Sequence, residues 1–220
     1  MVLIKTRSDF LMKVLLLNGS PHKNGCTYTA LSIIAQQLEK NGVESEIIHL
    51  AAKPVRGCSG CATCKKSGKK RCVFLDGGVN EVIDKLEAAD GLIVGSPVYY
   101  ASPNGTVLSF LDRMFYAGSS YLANKPAAAI VSARRAGTTA ALDAINKYFT
   151  INRMPIVSSN YWNMVHGSCA EDVLKDEEGV QIMRVLADQM AWLLKAIEAG
   201  KQAGIHAPEI EAKISTNFIR

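Results

Sequence analysis

The chain has 220 residues, 48% of them apolar, and can bury a core without covalent help. Its formal net charge of +5 is dispersed along the chain, too weak a bias for nucleic acid, although it suits a small acidic ligand such as a phosphate. The longest apolar runs are strand-sized, which excludes a transmembrane helix, and MVLIKTRSDFL is too short and mixed for a secretory signal, so a cytoplasmic location without membrane contact is expected.

Residues 13–18 (KVLLLN) read as a buried strand. Residues 24–41 read as a helix, with Leu31, Ile34, Ala35 and Leu38 on one face and Asn41-Gly42 as its stop. A second strand is expected over 43–50, then a long cysteine-bearing loop, then a helix over 79–89 that brings Val82, Ile83 and Leu86 together. Residues 91–95 (GLIVG) form the third strand and 104–116 the next helix. A fourth strand spans 126–132, a helix 137–149, a fifth strand 155–159, and the last helix 181–201. Strand and helix alternate five times, and the strands are apolar throughout. Both features indicate a parallel sheet covered on two faces, in one doubly wound domain.

Such sheets bind ligands beyond the carboxyl ends of their strands. After the first strand comes NGSPHKNGCT, in which Gly19 and Gly25 permit sharp turns and Ser20, Asn24 and Thr27 offer polar side chains. A helix N-terminus follows, with His22 and Lys23 beside it, which together make a phosphate cradle. The bland alternative is an ordinary helix-capping turn. The loop matches neither GxGxxG nor the GK[ST] of a P-loop, so a monophosphate is favoured over a dinucleotide or triphosphate. After the third strand, SPVYYASPNG places Tyr99 and Tyr100 where a flat ring would lie. After the fourth, SARRAGTT either closes over the same ligand or merely starts a helix with exposed arginines.

Four of the six cysteines stand at Cys58, Cys61, Cys64 and Cys72, amid Lys65, Lys66, Lys69, Lys70 and Arg71. A disulfide staple, a metal site and chance core cysteines all compete for this stretch. A reducing compartment weakens the staple. The basic run either offsets a negative metal centre or is a solvated loop. Cys169 reads as a small buried hydrophobe.

NGSPHKNGCT, GSPVYYASPNGTVLSFLDR and the small-residue loop together resemble the flavodoxin-like NAD(P)H-dependent FMN reductase family, over residues 12–203. The resemblance implies a three-layer α/β sandwich with a five-stranded parallel sheet of order 2-1-3-4-5. It implies FMN held at its phosphate by Ser20, Asn24, Cys26 and Thr27, and at its ring by Pro97, Val98, Tyr99 and Tyr100. Cys26 stands where relatives often carry Asn or Ser, and its backbone N–H still serves. Residues 1–11 become an N-terminal extension, 57–72 a cysteine-rich loop, and 204–220 a tail that packs on a neighbour or on the body.

The spacing C58-x2-C61-x2-C64-x7-C72 is similar to the compact motif of that family's iron–sulfur flavoproteins, which implies a 4Fe-4S cluster on the four thiolates. Zinc, or no metal, stays open at this point. The implied function is an FMN-dependent oxidoreductase taking electrons from NAD(P)H or a donor protein. Its partners would be a small-molecule or quinone acceptor and a redox protein, in a homodimer or homotetramer. The rivals are a plain FMN or quinone reductase, a non-enzymatic flavodoxin-like carrier, and a dehydrogenase acting on a chorismate-like molecule. No catalytic acid or base is assigned. Asp112 and Arg113 read as a structural charge pair that fixes their helix against the flavin loop, and His166 as a structural residue near the flavin edge.

Overall fold

The computed structural model of the chain describes residues 12–50, 54–216 and 218. In β1 (Lys13–Asn18), Val14, Leu15, Leu16 and Leu17 have no exposed surface. A strand buried on both faces must lie inside the sheet, and β1 pairs in parallel with β2 (Glu44–His49) on one side and β3 (Gly91–Tyr99) on the other. Beyond β3 lie β5 (Ala127–Ala133) and β6 (Met164–His166), also parallel. The parallel order is β2-β1-β3-β5-β6. With the two-residue β4 (Ser102–Pro103) set aside, this is the expected 2-1-3-4-5; β4 pairs antiparallel with the end of β3 as a sixth strand.

The period of two sorts the core into two halves. Leu15 and Leu17 pack with residues of α3 (Val79–Ala88), α4 (Gly105–Gly118) and α5 (Thr138–Ile151). Val14 and Leu16 pack with α1 (Cys26–Lys40) and α7 (Glu177–Gln202). The result is a three-layer sandwich. Two short helices complete it: α2 (Thr63–Lys66) inside the cysteine stretch and α6 (Ala170–Lys175) before α7.

The fifth parallel strand is not at 155–159. Ile156 makes only a bridge to Ala127, and the strand proper is Met164–His166, opposite Val131–Ala133. From Ala127 to Val131 the chain advances four residues, whereas from Ile156 to Met164 it advances eight, so four residues loop out of the ladder. Ser159 donates its hydroxyl to the Ile182 carbonyl at 2.8 Å, which draws the excursion toward α7. Residues 204–216 carry no regular structure and are exposed. The expected extension at 1–11 lies outside the described residues. Among the described residues no helix is long and apolar enough to cross a membrane.

Candidate functional site at the carboxyl edge of the sheet

Strand order reverses between β1 and β3, and the turns leaving β1, β3 and β5 meet beyond them. The first turn is clamped from below. Gly19 donates its N–H to Gly95 O at 2.9 Å, and a Cβ there would stand 1.9 Å from Val107 Cγ2, so only glycine allows the approach. Buried Asn18 and Ser20 then shape the turn. Asn18 Oδ1 accepts from Ser20 N, and Ser20 Oγ from His22 N, each at 3.1 Å. Asn18 Nδ2 donates to Lys23 O at 3.1 Å. α1 follows from Gly25 with no capping side chain and no acidic residue in its first turn. Its leading N–H groups therefore face the turn without a side-chain acceptor, at the positive end of the helix dipole. His22, Lys23 and Asn24 stand exposed around it.

The second turn is tighter than the sequence suggests. β3 runs on to Tyr99 and folds back through Tyr100 and Ala101 into β4. Both turn residues are left-handed, with φ of 51° and 55°. That geometry suits the right-handed twist of a two-residue hairpin but favours Asn and Gly, so each non-glycine costs about 1 kcal/mol. The turn projects Tyr100 fully into solvent, with Tyr99 partly exposed and Pro97 and Val98 half-buried beneath. Ser96 and Asn104 brace the hairpin: Ser96 Oγ accepts from Asn104 N, and Asn104 Oδ1 caps α4 at Thr106 N.

The third turn ties the other two together. Thr27 Oγ1 lies 2.8 Å from Ser132 Oγ, both buried. Gly137, at φ +90°, lies so close that a Cβ would meet Ala101 Cα at 2.7 Å. Arg134 and Arg135 are exposed at the rim. Cys26 Sγ donates to Gly167 O across 3.5 Å, and burial pushes its thiol above the usual range. Of the residues expected at the phosphate, Ser20, Asn24 and Cys26 thus line one turn, while the Thr27 hydroxyl serves as a tie between turns. His166 donates its backbone N–H to Asp176 Oδ2 at 2.7 Å; Asn163 is buried and donates to Ala129 O, and Trp162 is exposed.

The cysteine stretch packs against α4. Cys58, Cys61, Cys64 and Cys72 line one cavity, closed by Phe74, Arg113 and Tyr116. Cys64 and Cys72 are half-buried against the core, whereas Cys58 and Cys61 are exposed. Burial raises the Cys64 thiol, and hydrogen bonding from Thr63 lowers that of Cys61. The cavity leaves about 20 Å³ for water centres, roughly one water molecule. Among the described residues, no three His, Cys, Asp or Glu side chains converge tightly enough to hold a metal ion. The basic run is largely in use: Lys65 donates to Ser119 Oγ and lies over the Tyr116 ring, Lys70 over Tyr121, and Arg71 pairs with Asp84. Arg113 does not pair with Asp112, which accepts instead from the Tyr148 hydroxyl. Arg113 turns inward to the cysteine stretch, a partner 37 to 57 residues earlier that no local spacing signals.

Comparison with known proteins agrees with this layout. Residues 12–168 match the family model described as NADPH-dependent FMN reductase. An iron-sulfur flavoprotein of Methanocaldococcus jannaschii is 31% identical over 195 residues, covering 85% of this chain and all of that one. The structure of RosB with a bound intermediate, 8-demethyl-8-formylriboflavin-5'-phosphate, superposes with a TM-score of 0.69 at 15% identity, covering 95% of this chain and 94% of that one. A flavodoxin from the domain Archaea superposes at 0.57 and 16% identity, covering 84% and 99%. The fold is flavodoxin-like, and the chain belongs to the NADPH-dependent FMN reductase family as an oxidoreductase of that type.

Proposed function

We propose that the chain is an FMN-dependent oxidoreductase that passes electrons from NAD(P)H or a donor protein to a small-molecule or quinone acceptor. In this reading it works in the cytoplasm as a homodimer or homotetramer. The FMN phosphate seats in the first turn, on Ser20, Asn24 and the backbone N–H groups of Cys26 and Thr27. The isoalloxazine ring lies against Pro97, Val98, Tyr99 and Tyr100. The observation that carries this reading is the uncapped, carboxylate-free start of α1, set in a glycine-clamped turn beside Ser20. A phosphate dianion supplies the acceptors those N–H groups lack.

Within the same reading, Cys58, Cys61, Cys64 and Cys72 hold a 4Fe-4S cluster. The donor set fits in kind, since four thiols face one cavity. It fits in size only if the exposed arm of Cys58 and Cys61 swings outward while Cys64 and Cys72 stay on the core. The iron-sulfur flavoprotein relative supports the assignment. When bound, FMN supplies two-electron uptake with one-electron release, and the cluster a one-electron carrier. The chain's own residues bind and orient; no side chain is needed to move a proton. The water-sized cavity favours a second reading, a plain FMN or quinone reductase without a cluster.

The test is anaerobic purification, followed by absorption spectroscopy, iron and sulfide assay, and NAD(P)H oxidation with a quinone acceptor. The proposal expects flavin bands, a dithionite-bleachable shoulder near roughly 400 nm, and about four irons per chain. Flavin with turnover but no iron selects the plain reductase. A protein that binds no flavin overturns both.

A further inference from the structure

Arg113 is one of the largest side chains in the molecule without exposed surface, and it sits in the interior of α4. Every acceptor it reaches belongs to an end of the cysteine stretch. Nη1 donates to Arg56 O at 3.3 Å and to Asp76 Oδ2 at 3.2 Å. Nη2 donates to Phe74 O at 2.6 Å, and Nε to Cys72 Sγ at 3.3 Å. Arg56 N–H also donates to Asp76 Oδ2, at 2.9 Å, so the two ends are closed on each other beneath the cavity. Cys72 is held again through its backbone. Asn80 Oδ1 accepts from its N–H at 2.8 Å, and Asn80 Nδ2 donates to its carbonyl at 3.0 Å. The other cavity cysteines lie farther from this anchor: Cys58 and Cys61 are exposed, and Cys64 sits in the short α2, half-buried against the core.

One carboxylate serves this knot. Asp76, the carboxylate that pairs with Arg113, also lies 3.3 Å from Arg56 Nε. The Arg56 guanidinium is largely exposed, so Asp76 chiefly balances the buried Arg113. The Nη groups of Arg113 serve Asp76 and the Arg56 and Phe74 carbonyls, which leaves Nε–H for the Cys72 sulfur. An N–H aimed at a metal-bound sulfur draws electron density from the centre, which favours the reduced form.

We propose that Arg113 is the positioning residue of the cysteine cavity: it presets Cys72 as a ligand and, through Nε–H, stabilises the reduced state of the bound cluster. This rests on the cluster assignment above. The Cys72 side of the cavity is preset by these contacts, whereas Cys58 and Cys61 are exposed.

The experiment compares wild type, Arg113→Gln and Arg113→Lys, all purified anaerobically. FMN affinity, read by fluorescence quenching, reports whether each variant keeps its fold. The readouts are iron per chain, the rate of iron loss to a chelator, and the reduction midpoint of the cluster. Loss of an outer partner of a metal ligand typically weakens retention 10- to 100-fold, so Arg113→Gln should release iron at least about tenfold faster. Its residual cluster should titrate at a more negative midpoint. Arg113→Lys keeps the buried charge but is too short to serve Asp76 and Cys72 together. It should also lose iron faster, and it carries the test alone if Arg113→Gln does not fold. A folded variant with wild-type retention and midpoint overturns the inference and leaves the cluster standing. Failure of both variants to fold assigns Arg113 to folding alone and also overturns it. A wild type without iron overturns the cluster assignment, and this inference with it.

Discussion

Tyr100 carries a contradiction that chemistry can resolve. Its backbone occupies a left-handed turn position that glycine adopts without strain, yet its side chain is the most exposed of the hairpin. The proposed flavin contact of this ring gives the local cost a reason. Tyr100→Gly should therefore raise stability, by up to about 1 kcal/mol in chemical denaturation, while weakening FMN binding in a fluorescence titration. A loss of stability with unchanged FMN affinity would refute this. Gly137 presents the opposite case. With φ at +90° and Ala101 Cα in the path of any Cβ, Gly137→Ala should cost about 1–3 kcal/mol and lower the thermal midpoint by several degrees. Ser20 shapes the turn after β1 from within, and if that turn holds the phosphate as proposed, Ser20→Ala should weaken FMN by about tenfold or more while leaving riboflavin affinity nearly unchanged. Equal losses for both flavins would place Ser20 away from the phosphate.

The knot under the cysteine loop gives an element its own pH response. The Arg56 backbone N–H, and then the charges of Arg113 and Arg56, hold the Asp76 carboxyl below its ordinary value. A carboxyl lowered by folding contributes stability that is complete above the ordinary value of 3.8 and lost as pH falls through the lowered one. Below about pH 4 the wild-type loop should loosen, seen as rising hydrogen exchange at the Arg56 and Cys72 amides. In Asp76→Asn the loop should be looser at neutral pH and lack the acid-dependent step; an unchanged step would shift the cause elsewhere. This element was the least legible from sequence. The spacing of the four cysteines left a staple, a metal site and chance core cysteines open, and the anchor in α4 gave no signal at all, because Cys72 lies 41 residues from Arg113 and LDR alone suggests a neighbouring charge pair. The main parallel strands were legible because strands buried on both faces are apolar without alternation, as in KVLLLN and GLIVG. The fifth misled: PIVSS has a strand's composition, but the ladder is broken by an eight-residue advance opposite four, and register is set by the partner strand. β4 was hidden because Tyr-Ala lacks the Asn-Gly signature of its turn.

At the scale of the molecule, division of labour follows from topology. The carboxyl edge of the sheet gathers three turns into one cradle, and the cysteine loop is moored separately on α4, so the proposed flavin and cluster sites rest on different supports. Substitutions at Arg113 should thus disturb the metal site and spare FMN, and substitutions at Ser20 the reverse. The whole account depends on the turn after β1 binding a phosphate. Titrating the flavin-free wild type with FMN and with riboflavin, which differ only in that group, tests it most directly. The uncapped amides and Ser20 predict that FMN binds at least about a hundredfold more tightly, near 3 kcal/mol. Equal affinity for the two flavins, or no binding of either, would contradict it.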